Sequence, residues 1–201
     1  MHRQRIVWWA VFAALSAPLA WLGVLAATDG LGANPIEFVT RYLGDWALRA
    51  LLAALAPTAL NILFGWTGAV RLRRMVGLYA FAYAVLHVSS YVVLDQFFDW
   101  AAIWADVIKR KYITAGMAAV AILSLLAATS WAGAVRRLGA KTWKRLHRGV
   151  YAAALLACLH YAWMVKADLT GPALHAAVLA VLLGVRMAAF TKKRLTPLRP
   201  R

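Results

Sequence analysis

The sequence predicts an all-α integral membrane protein, a single domain of six transmembrane helices with both termini on the cytoplasmic side. Three observations carry that expectation. Hydrophobic residues make up 64% of the 201 positions against 15% charged, and mean hydropathy is +0.67, too apolar for a soluble domain. The apolar residues fall into six runs, each near the ~20 residues that a helix needs to cross a bilayer. The charges between the runs alternate in sign.

The six runs are residues 6–27, 46–66, 75–94, 113–131, 149–165 and 172–190. None shows the period-two alternation of a membrane barrel, so helices are the expected solution. The first run follows Arg3 and Arg5 and has the look of a signal peptide. It is long enough to span, however, and the chain after it is also apolar, so it is expected to be kept.

Basic residues collect at every second connection. Arg3 and Arg5 precede the first run, and Arg71, Arg73 and Arg74 lie between the second and third. Arg136, Arg137, Lys141, Lys144 and Arg145 follow the fourth, and Lys192, Lys193, Arg194, Arg199 and Arg201 follow the sixth. Six spans place all of these on one face, cytoplasmic by the positive-inside rule. The seven carboxylates, Asp29, Glu37, Asp45, Asp95, Asp99, Asp106 and Asp168, all fall on the other face. The net charge of +16 therefore reflects topology and membrane lipid, and no nucleic-acid partner is expected.

On the outer side, residues 97–111 carry Phe98, Trp100, Ile103, Trp104 and Ile108 at helical spacing. They read either as the apolar side of an interfacial helix, free to dock a partner, or as a connector with aromatic anchors. No phosphate loop, zinc-protease motif or activated nucleophile is present, and the lone Cys158 sits inside an apolar run. Chemistry must then come from a bound cofactor.

Histidine placement points to that cofactor. His87 stands 12 residues beyond Met75 and His160 stands 11 beyond Gly149. Each is ~16–18 Å from its own basic end at helical rise. Histidine in hydrocarbon is costly; a single one is most simply bonded in a neighbouring turn, here to Ser89, Ser90 or Tyr91. Two at one depth on separate spans suit the opposite faces of a heme iron. Ala80 and Ala84 below His87, and Ala153 and Ala157 below His160, leave room for a flat macrocycle.

His147, at the inner boundary, is 13 positions before His160 and rotated by about 140° from it. It binds a second cofactor asymmetrically or lies among headgroup contacts; the matching positions on the third span hold Arg73 and Arg74. Arg49, just inside the second span, pairs with a heme propionate or with Asp45 one turn earlier, the latter being the simpler reading. His2 and His175 read as interfacial or packing residues.

The segments from Arg73 to His87, Lys111 to Gly116, and Arg136 through His147 to His160-Tyr-Ala-Trp163 resemble the bacterial MsrQ (YedZ) family. Its setting is the ferric-reductase-like transmembrane group. The similarity runs from Asn34-Pro-Ile-Glu-Phe38 and Asp45-Trp-Ala-Leu-Arg49 onward. The resemblance implies an inner-membrane, heme-binding electron-transfer subunit rather than a catalytic one. Its expected partner is a periplasmic molybdopterin-containing methionine sulfoxide reductase, which repairs oxidised proteins.

The resemblance further implies b-type heme, one or two, with FMN as a further cofactor. The electron donor is the quinone pool or a cytosolic flavin reductase. His87, His147 and His160 match the family's histidines, whereas Arg73 or Arg74 stands where the wider group has a fourth. Two other function classes stay open. One is a self-sufficient ferric reductase or cytochrome b561-like oxidoreductase; the other is a cofactor-free scaffold or transporter.

Overall fold

The computed structural model describes residues 2–195; Arg199 and Arg201 of the expected basic tail lie outside them. Ten α-helices follow in order: α1 His2–Ala27, α2 Pro35–Phe64, α3 Thr67–Val70, α4 Arg73–Ser90, α5 Trp100–Lys109, α6 Lys111–Ala128, α7 Ala132–Leu138, α8 Ala140–Leu146, α9 Gly149–Met164 and α10 Thr170–Leu195. No strand occurs among the described residues.

Among the described residues five helices are long and apolar enough to cross a membrane: His2–Ala27, Pro35–Phe64, Arg73–Asp95, Lys111–Ala128 and Thr170–Lys192. The expected fifth of six spans corresponds to α9. At 16 residues it extends about 24 Å and is shorter than the 18-residue α6.

Helix α2 starts well before the apolar run, because its start signal lies in the polar segment. The Asn34 side chain accepts from the Glu37 N–H, and Pro35 occupies the first turn, where its missing N–H costs nothing. The acids expected in an outer loop therefore sit on helix, where Glu37 pairs with Arg41 at 2.5 Å and Asp45 with Arg49 at 3.6 Å. Gly65 ends α2 in the left-handed conformation, φ 66°, returning its N–H to the Asn61 carbonyl.

The core is made by two antiparallel pairs. Along α2 and α4, Leu43, Leu48, Leu51 and Leu55 bury against Val76, Ala80, Tyr83 and Ala84. Along α6 and α9, Leu123 meets Ala153 and Ala154, and α10 closes the bundle through Leu179. Alanines at these positions let helix axes approach closely, as apolar surroundings favour. Helix α1 buries only Leu15 and Pro18. Tyrosines tie it on: Tyr83 Oη donates to the Leu15 carbonyl at 2.7 Å and Tyr42 Oη to Pro18 at 3.0 Å.

After His87 the third span loosens into a π-helical turn, Tyr91–Asp95, a feature common near functional sites. Left-handed Phe97 and Phe98 then redirect the chain into α5, whose first turn is capped by Asp99. Of the expected apolar stripe, Trp100, Trp104 and Ile108 are 65–67% exposed, while Ile103 turns half-buried toward the body. Asp106 fastens the helix by accepting from Tyr91 Oη and Arg110 Nε, each at 2.9 Å.

Candidate functional site

The two deep histidines meet. Their ring centroids are 6.1 Å apart, with planes inclined at 73°. His87 Nδ1 is 2.8 Å from the carbonyl oxygen of Thr40, and His160 Nδ1 is 2.7 Å from that of Tyr112. A carbonyl only accepts, so each Nδ1 carries the proton and each Nε2 keeps a lone pair. That is the neutral, oriented form in which imidazole ligates a metal.

Both rings are lodged in the same way. Four residues beyond each carbonyl stands a glycine, Gly44 after Thr40 and Gly116 after Tyr112. A Cβ at Gly44 would lie 3.0 Å from His87 Cε1, and one at Gly116 would lie 2.8 Å from His160 Nδ1. Any larger residue would push the ring off its carbonyl. Two of the neighbouring-turn partners expected for His87 bond other groups than its ring: Ser90 Oγ lies 2.8 Å from the His87 backbone carbonyl and 3.0 Å from Thr40 Oγ1, and Tyr91 bonds Asp106.

Two imidazoles facing one metal ion, each with a metal–nitrogen bond of about 2 Å, place their ring centres about 6 Å apart. Among the described residues no third His, Cys, Asp or Glu joins them in a metal-binding group. Such a pair suits a metal whose remaining positions are filled by a macrocycle. Ala80, Ala84 and Ala153 are buried along the same helices.

His147 stands apart, between α8 and α9. Trp143 stacks on it with centroids 3.9 Å apart, and its Nε2 is 3.1 Å from Thr129 Oγ1. Burial holds its pKa below the ordinary value, and the positive charge of Arg73 adds to this against an opposing hydrogen bond at Thr129. Arg73 and Arg74 are exposed at the start of α4, with no ion pair among the described residues.

Arg49 lies over the Trp46 ring at 5.1 Å besides pairing with Asp45. It lines a groove of about 420 Å³ between α2 and α10, together with Ala53, Ala56, His175 and Leu182. His175 donates from Nδ1 to the Gly171 carbonyl at 2.8 Å and meets Tyr161 edge-on.

The family described as "Ferric reductase like transmembrane component" matches residues 43–158, which includes His87 and most of the helices that position it. A protein of Rhodospirillum rubrum named "Protein-methionine-sulfoxide reductase heme-binding subunit MsrQ" is 55% identical over 96% of this chain and 92% of its own length. The chain belongs to the MsrQ family. Other MsrQ proteins bear the same name in Herminiimonas arsenicoxydans, 47% identical over 92% of this chain and 85% of the relative, and Caulobacter vibrioides, 46% identical over 89% and 83%.

Within this MsrQ sequence, neither span length nor histidine spacing points to Thr40, Gly44 and Tyr112, which the fold brings to the two rings. The signal is a residue whose carbonyl accepts from a histidine ring, four positions before a glycine, twice, but which carbonyl meets which ring depends on tertiary packing. Arg186, a charge inside the last apolar run, is likewise marked by neither.

Proposed function

We propose that the chain is the heme-binding membrane subunit of a protein-methionine-sulfoxide reductase system, in which His87 and His160 would hold the iron of a b-type heme. The observation that carries this is the pair itself: two rings 6.1 Å apart, both Nδ1–H groups committed to carbonyls. When bound, an iron porphyrin held by two neutral imidazoles supplies reversible one-electron storage. The chain's own residues do the rest. Thr40 and Tyr112 hold the tautomers, Gly44 and Gly116 make room for the rings, and the apolar helices exclude water.

The electron path runs from the quinone pool or a cytosolic flavin reductase to a periplasmic molybdopterin-containing reductase. That path fits an inner-membrane bundle of six spans with both termini cytoplasmic, α9 being the short fifth span. The acidic, aromatic outer segment around α5 is where the catalytic partner docks. His147, with Arg73 and Arg74 nearby, is the candidate place for a second heme or for FMN at the inner boundary. Arg49 keeps Asp45 as its partner.

The test is a reduced-minus-oxidised absorption spectrum of the purified full chain with pyridine hemochrome quantitation. A b-type spectrum is expected, and colourless protein after expression with ample heme would refute the reading. The family match also admits a self-sufficient ferric reductase. Rapid turnover of ferric chelates by the isolated chain, without any partner, would favour that alternative.

A further inference from the structure

Arg186 is a positive charge well inside α10, six residues before Lys192, which is about 9 Å at helical rise. Its guanidinium does not reach toward that basic end. It folds back along the helix, donating from Nη1 to the Leu182 carbonyl and from Nη2 to the Leu55 carbonyl of α2. Its Cζ lies 5.7 Å from the centre of the Tyr151 ring on α9.

Two features are left over. Arg186 Nε is buried without a hydrogen-bond partner, and so is Thr58 Oγ1, one turn beyond Leu55 on α2. Both carry a hydrogen to donate. Among the described residues neither meets a carboxylate: both atoms lack a hydrogen-bond partner, and the ion pairs join Arg41, Arg49 and Arg110 to their acids. Carbonyl bonds satisfy two guanidinium hydrogens but supply no counter-charge. Arg186 is half-buried with its Nε enclosed, and at membrane depth a cation without a counter-charge is disfavoured.

We propose that Arg186 and Thr58 hold an oxyanion, a carboxylate or phosphate group on a molecule bound between α2, α9 and α10. Two sources share that chemistry. One is a carboxylate arm of the tetrapyrrole assigned to His87 and His160, and this source rests on the proposed function; Tyr151 lies nine residues, about 13 Å, from His160 along α9. The other is the phosphate of an amphiphile or nucleotide, which stands without it. A clamp between helices explains the two carbonyl bonds but leaves the remaining donors and the charge unanswered.

The experiment compares full-length wild type with Arg186→Gln, Arg186→Lys and Thr58→Val, each purified from membranes. It reads tightly bound phosphorus per chain, heme per chain by pyridine hemochrome, and heme midpoint potential against pH. With a carboxylate ligand, Arg186→Gln lowers heme content and shifts the potential and its pH dependence, Arg186→Lys recovers part of both, and phosphorus stays unchanged. With a phosphate ligand, Arg186→Gln loses one phosphorus per chain and the heme spectrum is unaltered. Thr58→Val, which removes one hydrogen bond to a charged group, weakens retention about tenfold.

Wild-type phosphorus, heme and potential in both folded Arg186→Gln and Thr58→Val would overturn the proposal and leave Arg186 as an interhelix clamp. If Arg186→Gln does not fold, unchanged values in Thr58→Val overturn it equally. A wild-type chain without heme that loses phosphorus in Arg186→Gln would refute the heme reading and uphold the oxyanion site.

Discussion

Gly44 and Gly116 are helix-interior glycines, which ordinarily cost about 0.5–1 kcal/mol relative to alanine. Here the sign should reverse. A methyl group at Gly116 would stand 2.8 Å from His160 Nδ1, so Gly116→Ala is expected to destabilise the chain by about 1–3 kcal/mol and to weaken low-spin heme absorption. Gly77→Ala, where an added Cβ meets nothing within 4 Å, should stabilise by the ordinary amount. Thermal unfolding followed by circular dichroism compares the two, and a stabilising Gly116→Ala would contradict the lodging of the ring. His147 sets a separate expectation. Its folded pKa lies below 6.5, so the unfolded chain takes up the proton first as pH falls. Stability from this residue is full above pH 6.5 and declines as pH drops toward the folded value. His147→Gln should flatten the fall of the thermal midpoint below pH 6.5.

At the scale of elements, α5 is held to the bundle by few polar contacts and leaves its aromatic stripe outward. Tyr91 donates to Asp106 at 2.9 Å, a bond to a charged acceptor worth about 1.5–3 kcal/mol. Tyr91→Phe should therefore raise hydrogen exchange across residues 100–109 while leaving the His87/His160 spectrum intact. Unchanged exchange would mean that Arg110 and the Asp99 cap suffice to hold the helix. The polar segment before residue 46 shows where hydropathy stops being informative. Apolar content places the membrane-crossing part of α2, but the helix begins at Asn34 and Pro35 because capping chemistry, not hydropathy, decides where it starts. Glu37 and Asp45 thus read as outer-side acids by charge and stand on helix, paired at i and i+4 with Arg41 and Arg49.

For the whole molecule, the all-helical membrane class was legible because apolar runs and helical length answer to the same bilayer constraint. The shared height of His87 and His160 was legible too, since equal distances from like-charged ends convert directly through helical rise. What holds the rings was not. The Thr40 and Tyr112 carbonyls approach them only once α2 packs on α4 and α6 on α9, and Arg186 is a single charge inside the apolar run 172–190. Six spans predict that reporter fusions after residue 195 and at residues 71–74 fall on one side of the membrane and a fusion at residue 168 on the other. The same side for all three would remove both α9 and α10 as spans. The most direct measurement is low-temperature electron paramagnetic resonance of the oxidised full chain and its single histidine variants. A low-spin bis-imidazole signal is expected in wild type and in His147→Ala and is expected to vanish in both His87→Ala and His160→Ala; its survival in either of the last two would contradict shared ligation of one iron.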